Sequence, residues 1–172
     1  MKKLSLLLFL LLLSSVSFSQ NKNTFNESEW LGNWTGKLLI ITAGKSSEVN
    51  MYLSISKTDT PNKYSWKTAY GEGASKLEKN YFMIAEDIEN GKWILDEDNT
   101  ILIDFFFGDN QFNSYFETQN ILLSSRYELK NSKIYSEVLS AQKSKSNITG
   151  SGENEVISYP VYVIQKAELT RE

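Results

Sequence analysis

From residue 33 onward, apolar and polar positions alternate with a period of two, and the alternation restarts every eight to twelve residues at a turn signal. Met51, Leu53 and Ile55 alternate against Tyr52, Ser54 and Ser56. Tyr64, Trp66, Thr68 and Tyr70 alternate against Ser65, Lys67 and Ala69. The pattern predicts strands over 33–41, 48–57, 63–70, 80–87, 92–96, 100–107, 111–117, 121–129, 133–141 and 156–170. The breaks between them carry turn residues: Ala43-Gly44, Pro61-Asn62, Asn90-Gly91 and Gly108-Asp109-Asn110. A loop is expected over 71–79 and a longer polar one over 142–155. No segment has the length and period of a crossover helix, so neighbouring strands must be antiparallel. About ten hairpin-linked strands point to an all-β, up-and-down antiparallel barrel, because closure removes exposed edges. A two-sheet sandwich is the alternative.

The chain ahead of the strands reads differently. Lys2 and Lys3 precede the apolar run Leu4–Leu13, and Ser17-Phe18-Ser19 supplies small residues before Gln20. Residues 1–19 therefore have the form of a secretory signal peptide, with export to the periplasm or the medium expected. The run is too short for a lasting membrane span. It is followed by no cysteine, which excludes a lipoprotein anchor. Residues 20–29 are polar and are expected to form a flexible lead-in, in which Asn26 or Ser28 can cap a short helical turn. The barrel domain is then 30–172.

Composition removes several chemistries. There is no Cys and no His among 172 residues. Disulfides, thiol nucleophiles, His-based triads and His-ligated zinc or haem are all excluded. Loss of Lys2 and Lys3 leaves 16 basic against 21 acidic residues, a net charge of −5, and no basic patch that would suit nucleic acid. The acidic run Asp96-Glu97-Asp98-Asn99 lacks the ordered ligands and glycine of a calcium loop and reads as a solvated turn. No catalytic residues, metal or cofactor are assigned. Carboxylate pairs scatter over different turns, which argues against a hydrolase.

The strand that opens the barrel starts with Trp30-Leu31-Gly32-Asn33-Trp34-Thr35-Gly36. Gly32 permits a sharp turn. Gly36 shares the face of Trp34 and is expected to leave room above its indole. Trp34 is expected to pack at one end of the barrel. Gly32-Asn33-Trp34 at the head of a meander resembles the calycins, the lipocalin-like and fatty-acid-binding-like barrels. The resemblance implies a closed base in which a basic residue of the last strand covers the tryptophan, and Arg171 is the matching position. The lipocalin disulfide, a helical lid and a haem-ligating His have no counterpart here.

With Trp34 inside, alternation sets the interior. Its apolar members include Leu38, Ile40, Met51, Leu53, Ile55, Ile103, Phe107, Phe112, Phe116, Leu123, Ile134, Val138, Val161 and Val163. Thr68, Ser114, Ser125, Ser136 and Gln165 fall among them, all neutral. Such an interior suits a small apolar or amphipathic, uncharged ligand, held by Tyr64, Trp66, Tyr70, Phe105, Ser114, Ser125, Tyr127 and Gln165. The competing reading is a non-catalytic structural or interaction domain whose side chains fill the barrel. Leu102 and Phe106 are expected on the outer face, where they could support a homo-oligomer. Arg126 is expected outside. Glu137 is ambiguous, since a shift in strand phase would bury it.

Overall fold

The computed structural model describes residues 24–172, so the signal-peptide assignment to 1–19 lies outside the described residues. The chain opens with one helical turn, α1 (Glu27–Trp30). Asn26 caps it by accepting from the Ser28 backbone N–H at 3.2 Å. Nine strands follow in order: β1 (Gly32–Thr42), β2 (Lys45–Lys57), β3 (Lys63–Tyr70), β4 (Leu77–Asp87), β5 (Lys92–Asp96), β6 (Leu102–Gly108), β7 (Gln111–Thr118), β8 (Ile121–Lys130) and β9 (Lys133–Gln142). Two short strands, β10 (Asn147–Thr149) and β11 (Val156–Ser158), precede the last, β12 (Val161–Arg171).

Ten strands close an antiparallel up-and-down barrel in the order β1-β2-β3-β4-β5-β6-β7-β8-β9-β12, with β12 pairing back onto β1. Its register is set largely by tight turns. Ala43-Gly44, Asp109-Asn110, Gln119-Asn120 and Asn131-Ser132 each place two consecutive residues at positive φ, the form that matches the twist of two-residue hairpins. β10 and β11 pair only with each other, as a separate hairpin in the β9–β12 connection. One strand over 156–170, bent near Pro160, was expected. Pro160, which fixes φ and has no N–H, falls between β11 and β12 instead.

The two ends of the barrel differ. At one end lie α1, the β2–β3, β4–β5, β6–β7 and β8–β9 turns, and the C-terminus. At the other lie the β1–β2, β3–β4, β5–β6 and β7–β8 turns and the β10–β11 hairpin. The lead-in placed outside the barrel on sequence grounds is part of the first end. Phe25 sits with ring centroids 5.0–5.9 Å from Trp30, Tyr64, Trp93, Phe107 and Phe112. Trp30 is fully buried. Phe25 lies in a polar segment with no periodicity to announce it, yet together with Trp30 it shuts this end.

Glycine at two positions is dictated by geometry. Gly32 has φ +138°, a region disfavoured for residues with a Cβ. At Gly36 a Cβ would lie 2.1 Å from the Glu168 carbonyl oxygen and 3.0 Å from the Leu169 side chain. Gly36 thus admits the backbone of β12, not the Trp34 ring as expected.

A bulge in β12 between Val161 and Val163 shifts the pairing with β9, so Val161 faces Ala141. Val161 was expected inside. The extra residue turns it outward, where it is 49% exposed.

Candidate functional site

The base of the barrel is held by a latch between its two ends of chain. Trp34 is buried, and its indole N–H donates to the Trp30 carbonyl at 3.0 Å. The Arg171 guanidinium lies over the Trp34 ring, 4.6 Å from the centroid. It also donates to the carbonyls of Ser28, at 3.3 Å, and Glu29. These carbonyls belong to a helical turn too short to satisfy them itself. A surface cleft of about 400 Å³ runs beneath this latch, past Asn131 and Ser132. It lies outside the barrel.

Above the latch the interior is solid. Trp30, Trp66, Trp93, Phe107 and Phe112 pack with centroid separations of 4.7–6.2 Å, many of them edge to face. Tyr64 belongs to this plug. Its hydroxyl donates to Glu27 at 2.8 Å, and Glu27 is also paired with Lys57. Burial, and then the Glu27 carboxylate, push the Tyr64 phenol up to about 12. Lys57, and then Tyr64, hold the Glu27 carboxyl below its usual range. Tyr64 is therefore committed to closing the base.

Toward the other end the inward residues open to solvent. Ile40, Val49, Tyr70, Tyr81, Ile103, Phe116, Leu123, Val138 and Gln165 point into the barrel by register, yet each is only half-buried. Deeper neighbours on the same faces, such as Leu38, Met51, Met83, Leu95 and Ala167, are buried. The upper half is thus a cup whose floor is the top of the aromatic plug. Phe105, Ser114, Ser125 and Tyr127 line its lower wall and are buried. Trp66 forms part of the floor, edge to face with Tyr127 at 5.1 Å. Of the eight ligand positions read from sequence, seven come together around the cup and Tyr64 does not.

Ser114 is engaged already. The β6–β7 ladder holds only three residue pairs, Phe106–Asn113 to Gly108–Gln111, the fewest in the barrel. Beyond it no ladder pairs form, and the Ser114 hydroxyl donates instead to the Asp104 carbonyl at 2.6 Å.

The sequence missed three groups. The inward phase of β4 was ambiguous, and it puts Tyr81 in the cup beside Tyr70 and Tyr127. Burial, then the Glu97 carboxylate, then Tyr70 raise the Tyr81 phenol to about 12. Burial raises Tyr127 further. Lys79, inward by register opposite Thr68, and Glu97, placed in a turn by sequence, bring charge to the mouth. An interior with neutral groups alone was expected, and it holds for the lower cup but not the mouth. Arg126 and Glu137 face outward and pair with each other at 3.9 Å. In the acidic turn, Asp96 accepts from the Asp98 N–H at 2.8 Å and Asn99 from the Ile101 N–H at 3.1 Å. Among the described residues no cluster of three acidic side chains could hold a metal.

No protein-family model matches the chain, and no curated protein matches it. Solved structures do. One is a protein of unknown function from the DUF3598 family of Nostoc punctiforme, at 14% identity and a TM-score of 0.59. That match covers 86% of this chain and 49% of the other, so the chain spans about half of that protein. Another is an S-type phycobiliprotein lyase from Guillardia theta, at 10% identity and a TM-score of 0.58, covering 91% of this chain and 98% of that one. At these identities the likeness concerns the fold alone, a closed antiparallel β-barrel.

The buried phenols give a titration signature. A raised folded-state pKa means that the fold favours the neutral phenol. Its contribution is complete below the unfolded value near 10 and is lost as pH rises through about 12. Tyrosinate absorbance should show exposed tyrosines ionising first, then a late phase near 12 that coincides with loss of the β-sheet circular dichroism signal. A single phase near 10, with the fold intact, would contradict this placement of Tyr64 and Tyr81.

Proposed function

We propose that the chain is an exported, non-enzymatic, lipocalin-like binding protein whose cup takes a small apolar or amphipathic molecule, uncharged along the part that enters. The observation that carries this reading is the half-exposed ring of inward side chains above a sealed base. Side chains that filled the barrel would bury that ring as thoroughly as Leu38 or Met51. The walls are apolar, with a few convergent hydroxyls and one amide, the makeup of a site that gains affinity from burial and orientation from hydrogen bonds. Charge is confined to Lys79 and Glu97 at the mouth, where the polar end of an amphipathic molecule would sit. The likeness to the S-type phycobiliprotein lyase of Guillardia theta supports the reading only as an analogy of fold.

A packed interaction domain is the second reading. It is favoured by Leu102, Phe106 and Tyr115, which are 62%, 53% and 85% exposed on the outer wall. That reading requires self-association, and a strict monomer by light scattering of the mature chain would remove it.

Two outcomes are expected. In thermal-shift screening against apolar compounds, the mature chain should gain stability with ligand by mass action, about 2.7 kcal/mol at one hundred times Kd. Val138→Trp, which fills the cup without touching the base, should abolish that gain while the unliganded protein still unfolds cooperatively. Equal gains in both proteins would contradict the cup. Export is read by N-terminal sequencing of protein recovered outside the cytoplasm: a chain starting at Gln20 agrees, and one retaining Met1 does not.

A further inference from the structure

The floor of the cup carries polar groups with nothing to bind. The Trp66 indole N–H and the Thr68 hydroxyl are buried, with residue exposures of 1% and 2%, and neither has a hydrogen-bond partner among the described residues; the Trp93 indole N–H, deeper in the plug, is a third such group. Both side chains face inward from β3, two residues apart, Trp66 at the floor and Thr68 one step toward the mouth. The Tyr127 hydroxyl belongs to the same group. Trp66 and Ser136 lie close enough to Tyr127 to oppose part of its rise in pKa, but the indole N–H does not reach it at hydrogen-bond geometry. Orphaned buried donors are rare in folded proteins and costly, because each gave up water and received nothing.

The chemistry of these groups is selective. An indole N–H can only donate, and a buried phenol kept protonated donates readily. Thr68 can do either. No cation is level with Trp66: Lys79, opposite Thr68 by register, is exposed toward the mouth, and the Glu97 carboxylate stands beside Tyr81 higher in the cup. A carboxylate pushed down to Trp66 would pass the solvated Lys79, lose its water with no cation at that depth, and approach a like charge at Glu97 on the way. A neutral acceptor faces neither cost.

We infer that the cup selects ligands by a neutral carbonyl-type acceptor at the leading, buried end, received by the Trp66 N–H and by the Thr68 and Tyr127 hydroxyls. This rests on the reading of the upper barrel as a binding cup. The ligand class is then an apolar molecule ending in a ketone, ester or amide carbonyl, inserted carbonyl first, with any charged group left at the mouth.

The test uses three fluorescent probes on the mature chain: propionyl-dimethylaminonaphthalene, its propyl analogue lacking the carbonyl oxygen, and the matching naphthoate. The wild type should bind the ketone at least about tenfold tighter than the propyl analogue. In Trp66→Phe and Thr68→Val that ratio should fall below about threefold, with propyl binding retained. Bound ketone emission, which reports hydrogen bonding to its carbonyl, should shift to the blue in both variants. The wild-type ratio stands even if a variant fails to fold. Equal wild-type binding of ketone and propyl probe, or tightest binding of the naphthoate, overturns the acceptor assignment and leaves the cup standing. Binding of none of the three counts against the cup itself.

Discussion

The structure depends on a contact between the two ends of the described chain. Arg171, the last residue of β12, lies over Trp34 near the start of β1 and ties down the carbonyls of the helical turn between Phe25 and the barrel. Trp34 holds the same turn from inside through the Trp30 carbonyl. A four-residue helix has no stability of its own in water. Held by this latch, it delivers Phe25 and Trp30 into the base, where they join Tyr64, Trp66, Trp93, Phe107 and Phe112. Burial of a tryptophan on this scale is worth about 3–5 kcal/mol against alanine, a large share of a domain's net stability. A chain without disulfides has to find its stability in packing of this kind.

The same economy explains the asymmetry of the barrel. Ten strands enclose more space than side chains alone readily fill. Large aromatics are concentrated at one end, and the other end is lined by Ile, Val, Tyr and Gln side chains that are only half-buried. Those side chains are reached by solvent, which is the basis of the proposed binding function. The β6–β7 ladder has three pairs, all toward the base, and beyond them Ser114 bridges to the Asp104 carbonyl. The base supplies rigidity and the upper half is left free for recognition, a division common to scaffolds that carry function on less stable parts.

Much of this could be read from the chain. Period-two alternation placed the strands, their antiparallel pairing and the inward phase of β1, β2, β3, β7 and β8. Closure at ten strands is as expected. What escaped the sequence escaped for physical reasons. Phe25 is one aromatic in a polar stretch, and only the tertiary fold shows that it packs against the core. Val161 follows the alternation rule until a bulge adds one residue and reverses its direction. β4 reads ambiguously because its outer face carries Phe82 and Ile84 while its inner face carries Lys79, so hydrophobicity does not tell the faces apart. Glu97 sits in a turn, where alternation says nothing about direction. Hence the cup's neutral lower wall was legible and its charged mouth was not.

The central claim is that one cylinder is solid below and hollow above. It is tested most directly by methyl NMR of the mature chain with a neutral, soluble nitroxide. The account predicts strong paramagnetic attenuation of the methyls of Ile40, Val49, Ile103 and Val138, and protection of Leu53, Ile55, Ile134 and Leu169. Uniform protection of both groups would mean a filled barrel, and attenuation of Ile55 or Leu169 would mean an open base; either result would contradict it.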